Sequence, residues 1–175
     1  MKKEIEVKFF VDDLARVRRR LKKLGAKFEW KGEEHDVFLD TANFALKKRG
    51  DILRIRRNKK QHYITLKRNV MAHGKFKIAD EHQLGISDTK ELQTIFEHLG
   101  FKVHLAYKKT REYWEYGGAC VTLDKLPFGD FVEVEASQKK IKTITSKLML
   151  DFDKSTTKGY RRLVEEYRKN GKIEL

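Results

Sequence analysis

Charged side chains recur at every second position along several short segments of this chain, and apolar side chains occupy most of the positions between them. The charged positions are Glu4, Glu6, Lys8, Arg54, Arg56, Lys67, Glu81, Lys109, Arg111, Asp124, Glu133 and Glu135. Carboxylates bind hard cations such as Mg²⁺ or Mn²⁺, whereas arginine and lysine side chains bind phosphate oxygens. Acidic and basic groups in one set therefore predict a site for a polyphosphate bound together with a divalent metal ion.

The period of two is that of a β-strand, so each charged set shares one face of its strand and the apolar residues share the other. We predict strands at 4–8, 36–40, 52–57, 62–68, 77–84, 105–115, 119–125 and 130–136, with a loop at 43–50. Helical spacing of apolar residues predicts helices after Asp12 or Asp13 and after Ser87 or Asp88, and two more near the C-terminus. In the second helix, Ile95 and Leu99 are expected to face inward.

The helices can pack only on the apolar faces of the strands, which leaves the charged faces to line an interior. An antiparallel sheet of about eight strands can close into a barrel with room for a small ligand. The sequence therefore predicts an α+β fold in which helices pack outside an eight-stranded antiparallel β-barrel, as a single domain over residues 1–175. So many charges cannot be buried without partners, so we expect a wet interior that binds ions and a multiply charged anion.

The composition indicates a folded protein with an anionic partner. The formal net charge is +14, and 38% of the residues are charged. A nucleic acid, a membrane surface or a polyphosphate would fit this charge, and the choice depends on whether the charges face outward or inward. The single cysteine, Cys120, excludes an internal disulfide and is typical of a reducing compartment. With no apolar signal segment and no apolar run of about 20 residues, we expect a cytoplasmic protein with no membrane partner.

Several motifs resemble those of the CYTH family, also called the triphosphate tunnel metalloenzymes. They are Glu4-Ile5-Glu6-Val7-Lys8, Leu53-Arg54-Ile55-Arg56, Thr65-Leu66-Lys67, Lys109-Thr110-Arg111, Leu123-Asp124-Lys125 and the segment Gly129 to Glu135. Lys158-Gly159-Tyr160 stands where the family usually carries a Ser-Tyr pair. The resemblance covers nearly the whole chain and implies an eight-stranded antiparallel tunnel that binds triphosphates through Mg²⁺ or Mn²⁺.

The resemblance also implies a role for each matching residue. Metal binding falls to Glu4, Glu6, Glu133 and Glu135, to which we add Asp124. Phosphate binding falls to Lys8, Arg54, Arg56, Lys67, Lys109 and Arg111, and Glu81 belongs to the same part of the site. Glu4, Glu6 and Lys8 are the predicted catalytic residues. Two positions depart from the family pattern, because Ala79 stands where an arginine is common and Gln83 where a second glutamate can follow. Lys75 or Lys77 could compensate for the missing arginine.

The family includes enzymes that hydrolyse inorganic triphosphate, enzymes that hydrolyse thiamine triphosphate, and enzymes that convert ATP to cyclic AMP. We expect hydrolysis, because Leu39-Asp40-Thr41 and the segment Leu46 to Gly50 look more like members of the triphosphatase type. The first alternative is a class IV adenylate cyclase. The second is a non-catalytic module that binds polyphosphate or RNA through the basic run Arg16 to Lys23. The paired carboxylates disfavour nucleic acid as the ligand of the charged interior. A homodimer would be consistent with the family.

Overall fold

The computed structural model describes residues 2–169 and residue 171, and eight long β-strands form the body of this part of the chain. Their bounds are β1 Lys2–Val11, β2 Lys27–Thr41, β3 Ile52–Asn58, β4 His62–His73, β5 Phe76–Ile86, β6 Phe101–Tyr116, β7 Ala119–Leu126 and β8 Gly129–Glu135. A short ninth strand, β9 (Ser155–Thr156), pairs with β1.

All neighbouring long strands pair antiparallel, in the order β5-β4-β3-β2-β6-β7-β8-β1. The sheet closes on itself because β1 also pairs with β5, with Glu4 opposite Ala79 and Glu6 opposite Lys77. Closure satisfies the backbone hydrogen-bonding groups that would otherwise be exposed at the edges of the sheet. The predicted fold class, an eight-stranded antiparallel barrel with helices outside, is confirmed.

Five α-helices surround the barrel: α1 Leu14–Lys23, α2 Ala45–Lys48, α3 Thr89–His98, α4 Gln138–Lys147 and α5 Tyr160–Lys169. Asp13 begins α1, because its carboxylate accepts hydrogen bonds from the backbone N–H groups of Ala15 (2.7 Å) and Arg16 (3.2 Å). Asp88 begins α3 in the same way. None of the helices in the described residues has the length and apolar character needed to span a membrane.

The main apolar core lies between the outer wall of the barrel and helices α1 and α4. Val17 and Leu21 of α1 and Ile141 of α4 pack in one cluster with Val132 and Val134 of β8. Each fully buried aliphatic side chain of this kind stabilises the fold by about 1.5–3 kcal/mol. This packing requires the apolar face of each strand to point outward, so the charged face points into the barrel.

Helix α5 closes one end of the barrel interior with a second apolar cluster. Tyr160 and Leu163 of the helix pack against Phe38, Leu105 and Phe131, whose strands direct them inward. The site described below is therefore a cavity with a floor at this end.

Three sequence predictions of local structure were wrong. Strand β2 begins at Lys27 and not at Asp36; the apolar alternation of its first half is only two residues long, Phe28 and Trp30, and ends at Gly32 and Glu34 on the same face. The predicted loop at 43–50 contains α2, and the carboxylate of Asp40 accepts hydrogen bonds from the Leu46 and Lys47 backbone N–H groups at 2.9 Å. Ile95 and Leu99 are exposed, since α3 packs on the barrel only through its other side.

Candidate active site

The barrel interior holds a cavity of about 760 Å³. Ten of the twelve charged residues predicted to face inward line it, and Lys77 joins them. The other two, Lys109 and Asp124, are fully buried behind the wall of the cavity. The inward placement follows from strand register: Glu6 and Lys8 of β1 lie directly opposite Glu135 and Glu133 of β8.

The carboxylates of β1 are each paired with a lysine from β4 or β5. Glu4 accepts a hydrogen bond from Lys67 Nζ, and Glu6 accepts one from Lys77 Nζ at 2.7 Å. Lys67 also lies 3.3 Å from a carboxylate oxygen of Glu81. These pairs neutralise a set of charges that would otherwise be costly to bury.

The carboxylates of β8 are paired in the same way. Glu133 accepts hydrogen bonds from Lys8 and Arg111, and Glu135 accepts one from Lys2 Nζ at 2.6 Å. Glu133 is nearly buried, whereas Glu135 is about one third exposed and lies nearer the open end of the cavity. The β1 and β8 carboxylates together form the acidic side of the site.

Asp36 of β2 fixes the arginines of β3. Its carboxylate accepts a fork of two hydrogen bonds from Arg56 (Nε at 2.6 Å and Nη2 at 2.8 Å) and a third from the Tyr107 hydroxyl at 2.9 Å. Arg54 lies 3.8 Å from the same carboxylate, and its buried Nε has no hydrogen-bond partner among the described residues. Arg54 can therefore donate to a ligand without breaking a protein contact.

A second buried carboxylate, Asp124 of β7, fixes Arg111. It accepts hydrogen bonds from Arg111 Nε at 2.5 Å, from Lys109 Nζ at 3.4 Å and from the Tyr160 hydroxyl at 2.6 Å. The ammonium groups of Lys8 and Lys109 also lie 3.9 Å and 4.4 Å from the centre of the Tyr160 ring. Tyr160 thus links the floor of the cavity to its basic side chains.

The carboxyl groups that line the cavity do not share one ionisation behaviour. Burial, with the nearby Glu6, raises the pKa of Glu4. Burial alone would also raise the pKa of Glu6, but Lys77 and Lys8 outweigh it and lower this pKa to about 2. Lys8 and Arg111 likewise hold the pKa of Glu133 well below its usual range against the effect of burial. Of these three, Glu4 is the only carboxyl group whose pKa is raised, which makes it the best suited to accept a proton.

Burial shifts the pKa of Lys109, a base behind the cavity wall, in the opposite direction. With Arg111 beside it, burial lowers the pKa of Lys109 to about 8. Its ammonium also lies 3.6 Å from the carboxylate of Glu34, which the adjacent bases hold at a pKa of about 2. Lys109 and Glu34 therefore belong to the support of the site behind the wall of the cavity.

The open part of the cavity carries an aromatic rim. The Trp30 ring stacks on Tyr113, with centroids 5.3 Å apart and ring planes at 23°, and Tyr63 lines the same cavity. Gly32 lies beneath the indole, and a Cβ atom at this glycine would overlap it. Glycine at position 32 therefore allows the indole to lie flat against the wall beside the basic groups.

Lys77 lies near the position where this chain has Ala79 in place of the arginine that is common in the family. Ala79 is buried and lies opposite Glu4, while Lys77, two residues earlier, points into the cavity and contacts Glu6. Lys75 is exposed and lies 3.9 Å from Asp153, outside the cavity. Of the two candidates for compensation, only Lys77 reaches the cavity.

The donor set fits a hard divalent cation by its chemistry. Glu4, Glu6, Glu133 and Glu135 offer only oxygen ligands, which Mg²⁺ and Mn²⁺ prefer. In the described residues no three acidic, histidine or cysteine side chains are already gathered around one point, because each of these carboxylates is turned onto a basic partner. A bound cation would replace those partners.

Sequence reasoning missed the residues that support the site from behind. Glu34 and Asp36 continue the period-two pattern of β2, and this signal could have revealed them if the strand had been recognised to begin at Lys27. Tyr107 alternates with Lys109 and Arg111 along β6, but its hydroxyl partner Asp36 is distant in sequence. The Leu39-Asp40-Thr41 motif, which favoured hydrolysis, holds the turn before α2 and does not line the cavity.

Comparisons with known proteins agree with this geometry. A family model described as the CYTH domain matches residues 2–158. The protein named "Putative adenylate cyclase MJ0240" of Methanocaldococcus jannaschii is 30% identical over 135 residues, which is 77% of each chain.

Two solved structures share the fold. One, described as a putative adenylate cyclase from Vibrio parahaemolyticus, has a TM-score of 0.84 at 19% identity and covers 94% of this chain and 98% of its own. The other, from Hippeastrum, is described as a putative adenylyl cyclase with a dominant triphosphatase activity. Its TM-score is 0.65 at 15% identity, over 98% of this chain and 97% of its own. The family model and the relative at 30% identity together show that this chain belongs to the CYTH family.

Proposed function

We propose that this protein hydrolyses a triphosphate substrate in a metal-dependent reaction inside the barrel. The proposal rests on the arrangement of charges in one cavity, which has carboxylates on β1 and β8 and basic side chains on β3, β4 and β6. A metal–triphosphate complex has the complementary charges, since the cation faces carboxylates and the phosphates face guanidinium and ammonium groups. CYTH enzymes act on triphosphates, which is consistent with this assignment.

Glu4, Glu6, Glu133 and Glu135 would hold Mg²⁺ or Mn²⁺ in this proposal. When bound, the divalent ion supplies neutralisation of phosphate charge and polarisation of phosphate oxygens. Glu6 and Glu133 suit the role because their lowered pKa values keep them ionised across the neutral range. We leave Asp124 out of this set, because three donors already engage its carboxylate behind the cavity wall.

Arg54, Arg56, Lys67 and Arg111 would bind the phosphates, with Lys8 at the floor. Arg54 has a free donor, and Arg56 and Arg111 are held rigidly by Asp36 and Asp124. Basic groups that are already oriented stabilise the charge of the transition state without reorganisation. Lys109 then supports Arg111 and Asp124, and Glu81 orients Lys67.

Glu4 is our candidate for the group that orients and deprotonates the attacking water. Its pKa is raised, so it can accept the proton released when the water oxygen bonds to the terminal phosphorus and the P–O–P bond breaks. Glu6 would remain charged, and Lys8 would contact the terminal phosphate beside Glu133. Glu4, Glu6 and Lys8 are thus the proposed catalytic residues.

The aromatic rim bears on the choice of substrate. Inorganic triphosphate, ATP and thiamine triphosphate all present the three phosphates, but only the last two carry a ring. Trp30 lies opposite Tyr113, two residues before Gly32, which lies opposite Arg111. Trp30 and Gly32 share one face of β2, so a ring attached to bound phosphates could reach the indole. Stacking on the indole would favour an organic triphosphate over the inorganic one.

The alternative is adenylate cyclisation, which the name of the 30% identical relative favours. In that reaction the ribose hydroxyl attacks the α-phosphate and pyrophosphate leaves. The same metal and phosphate groups would serve, but the nucleotide would bind with its α-phosphate where hydrolysis places the terminal one.

A product assay separates the two reactions. The protein is incubated with Mg²⁺ or Mn²⁺ and with inorganic triphosphate, ATP or thiamine triphosphate, and phosphate, pyrophosphate and cyclic AMP are quantified. We expect phosphate release that is lost in Glu6→Gln and retained in Glu97→Gln, an exposed acidic residue of α3 outside the cavity. Equal amounts of cyclic AMP and pyrophosphate from ATP would support the cyclase, and no product from any substrate would refute both.

A further inference from the structure

The barrel interior does not account for the positive charge of this protein. Nine basic and seven acidic side chains line the cavity, and one base and three acids are buried behind its wall. The interior charges therefore balance. Beyond the described residues, Lys172 and Glu174 cancel each other. The net charge of +14 must accordingly lie on the outer surface.

Two helices carry most of this excess. Helix α1 contains six basic residues and helix α4 contains four, and neither helix contains an acidic residue. The other long helices are mixed, with two acidic residues each in α3 and in α5. A helix face that is simply solvated normally alternates the two signs, so the absence of acids on α1 and α4 requires an explanation.

The two helices lie on the same side of the barrel. Both pack on β8 through one shared apolar cluster, and Arg20 of α1 donates a hydrogen bond to the carbonyl of Leu148 at the end of α4 (2.7 Å). Their basic side chains therefore form one surface, which we call the α1–α4 face.

Most of the bases on the α1–α4 face are free to bind a partner. Arg18 is engaged by Glu112, and Arg20 by the Leu148 carbonyl. On α1, the exposed bases are Arg16, Arg19, Lys22 and Lys23. Of these four, Arg19 alone forms an ion pair with a described residue, Asp13 at 3.7 Å.

On α4, the exposed bases are Lys139, Lys140, Lys142 and Lys147. Within the part of the chain that the structure describes, no ion pair involves any of these four lysines. The two helices thus carry eight exposed cations, one of which, Lys147, also donates a hydrogen bond to the Tyr116 hydroxyl at 3.0 Å.

We propose that the α1–α4 face binds the phosphate backbone of a nucleic acid without sequence selection. Carboxylates argue against nucleic acid inside the barrel, whereas α1 and α4 carry none and their eight exposed bases far outweigh the neighbouring Asp13, so attraction dominates for a polyphosphate backbone. A membrane surface fits less well, because the apolar residues of both helices, such as Leu21 and Ile141, are already buried on the barrel and cannot insert into lipid. Lysines and arginines that project into water suit a flexible or grooved backbone of regularly spaced phosphates.

The strength of this binding should depend steeply on salt. Each phosphate neutralised on a single strand contributes roughly −0.7 to the slope of log K against log salt concentration. With eight exposed bases on the face, we expect a slope between about −3 and −6 for single-stranded RNA.

The test uses a fluorescein-labelled 30-nucleotide RNA of mixed sequence and measures anisotropy between 50 and 300 mM salt. The test variant, R16E/R19E/K139E/K142E, reverses four bases of the α1–α4 face. The control variant, K48E/K90E/K102E/K125E, reverses four exposed bases elsewhere and has the same net charge. We expect the test variant to bind RNA more than tenfold more weakly at 100 mM salt with a slope less steep by about 3, and the control to stay within about threefold of the native protein.

Three results would overturn the proposal. Equal loss of binding in both variants would show a general charge effect. Displacement of the RNA by inorganic triphosphate and Mg²⁺, with triphosphate at the same concentration as the protein, would place the RNA in the barrel. Binding to phosphatidylserine vesicles without binding to RNA would assign the face to a membrane surface.

This inference is independent of the proposed hydrolysis. Because the four reversed residues of the α1–α4 face lie outside the barrel, we expect the test variant to retain the product formation of the native protein. If the native protein forms no product, the proposed hydrolysis fails and the RNA measurement still decides the present inference.

Discussion

Replacement of Asp36 by asparagine tests how the barrel holds its arginines. The carboxylate of Asp36 is fully buried, engages Arg56 through two hydrogen bonds and accepts a third from Tyr107. Asparagine keeps the shape of the side chain but removes its charge and replaces one acceptor oxygen by a donor NH₂ group. The guanidinium of Arg56 would then stay buried with no fully ionised partner at that position.

The size of the effect follows from this burial. Breaking a buried ion pair by removing one partner costs about 3–5 kcal/mol, whereas an exposed pair contributes at most about 1 kcal/mol. Glu34 lies 3.2 Å from Arg56 Nη1 and partly compensates, so we expect about 3 kcal/mol for Asp36→Asn. In a chain of this size each kcal/mol shifts Tm by about 2–4 °C, which gives a decrease of roughly 10 °C.

Urea unfolding and thermal melting measure this loss, with Asp153→Asn as the control. The Asp153 side chain is 95% exposed, and the same chemical change there should leave the free energy of unfolding within about 0.5 kcal/mol of the native value. We also expect KM for the triphosphate to rise at least tenfold in Asp36→Asn, because Arg56 is no longer oriented. A loss below 1 kcal/mol with unchanged KM would refute the view that Asp36 positions the phosphate-binding arginines.

Three further predictions address the rim, the lysine of β5 and the acid stability. Gly32→Ala should displace the Trp30 indole and change its fluorescence. We expect kcat/KM for ATP to fall several-fold and kcat/KM for inorganic triphosphate to stay within twofold. Equal effects on both substrates would contradict a stacking role of the indole. Lys77→Ala should raise KM for every triphosphate at least tenfold, since a charge-assisted hydrogen bond contributes about 1.5–3 kcal/mol; an unchanged KM would show that this lysine does not replace the family arginine. The folded-state pKa of Glu34 is lowered to about 2, so the stabilisation of the fold by its ionised carboxylate is complete above about pH 4.5 and is lost as the pH falls towards 2. The urea midpoint of unfolding should therefore fall over this pH range, and it should fall less in Glu34→Gln.

The alternation of charged and apolar residues was enough to predict the barrel and most of the charged residues that line its cavity. Glu4 and Glu6 alternate with apolar residues, which must face the helices outside the barrel. Because alternate side chains of a strand point to opposite faces, the side chains of Glu4 and Glu6 must point into the interior. The alternation could not predict which charged side chains pair with one another in the folded protein. Asp36 and Asp124 matter through partners that lie 20 and 13 residues away in sequence, and a strand pattern gives no signal for such pairs.

The first half of β2 escaped prediction for a related reason. Phe28 and Trp30 alternate with charged residues, but Gly32, Glu34 and Asp36 follow on the same face, so the apolar period is too short to mark a strand. Tyr160 shows the same limit, since the family resemblance singled it out but did not indicate that its hydroxyl would reach Asp124 beneath the cavity.

A crystal structure of the protein with Mn²⁺ and inorganic triphosphate tests the central claim most directly, because the anomalous signal of manganese locates the metal. We predict a peak inside the barrel at about 2.2 Å from carboxylate oxygens of the Glu4, Glu6, Glu133 and Glu135 set, with the phosphates in contact with Arg54 and Arg111. Manganese and triphosphate bound only on the outer surface, with the pairs Glu4–Lys67 and Glu6–Lys77 intact inside the barrel, would contradict the account.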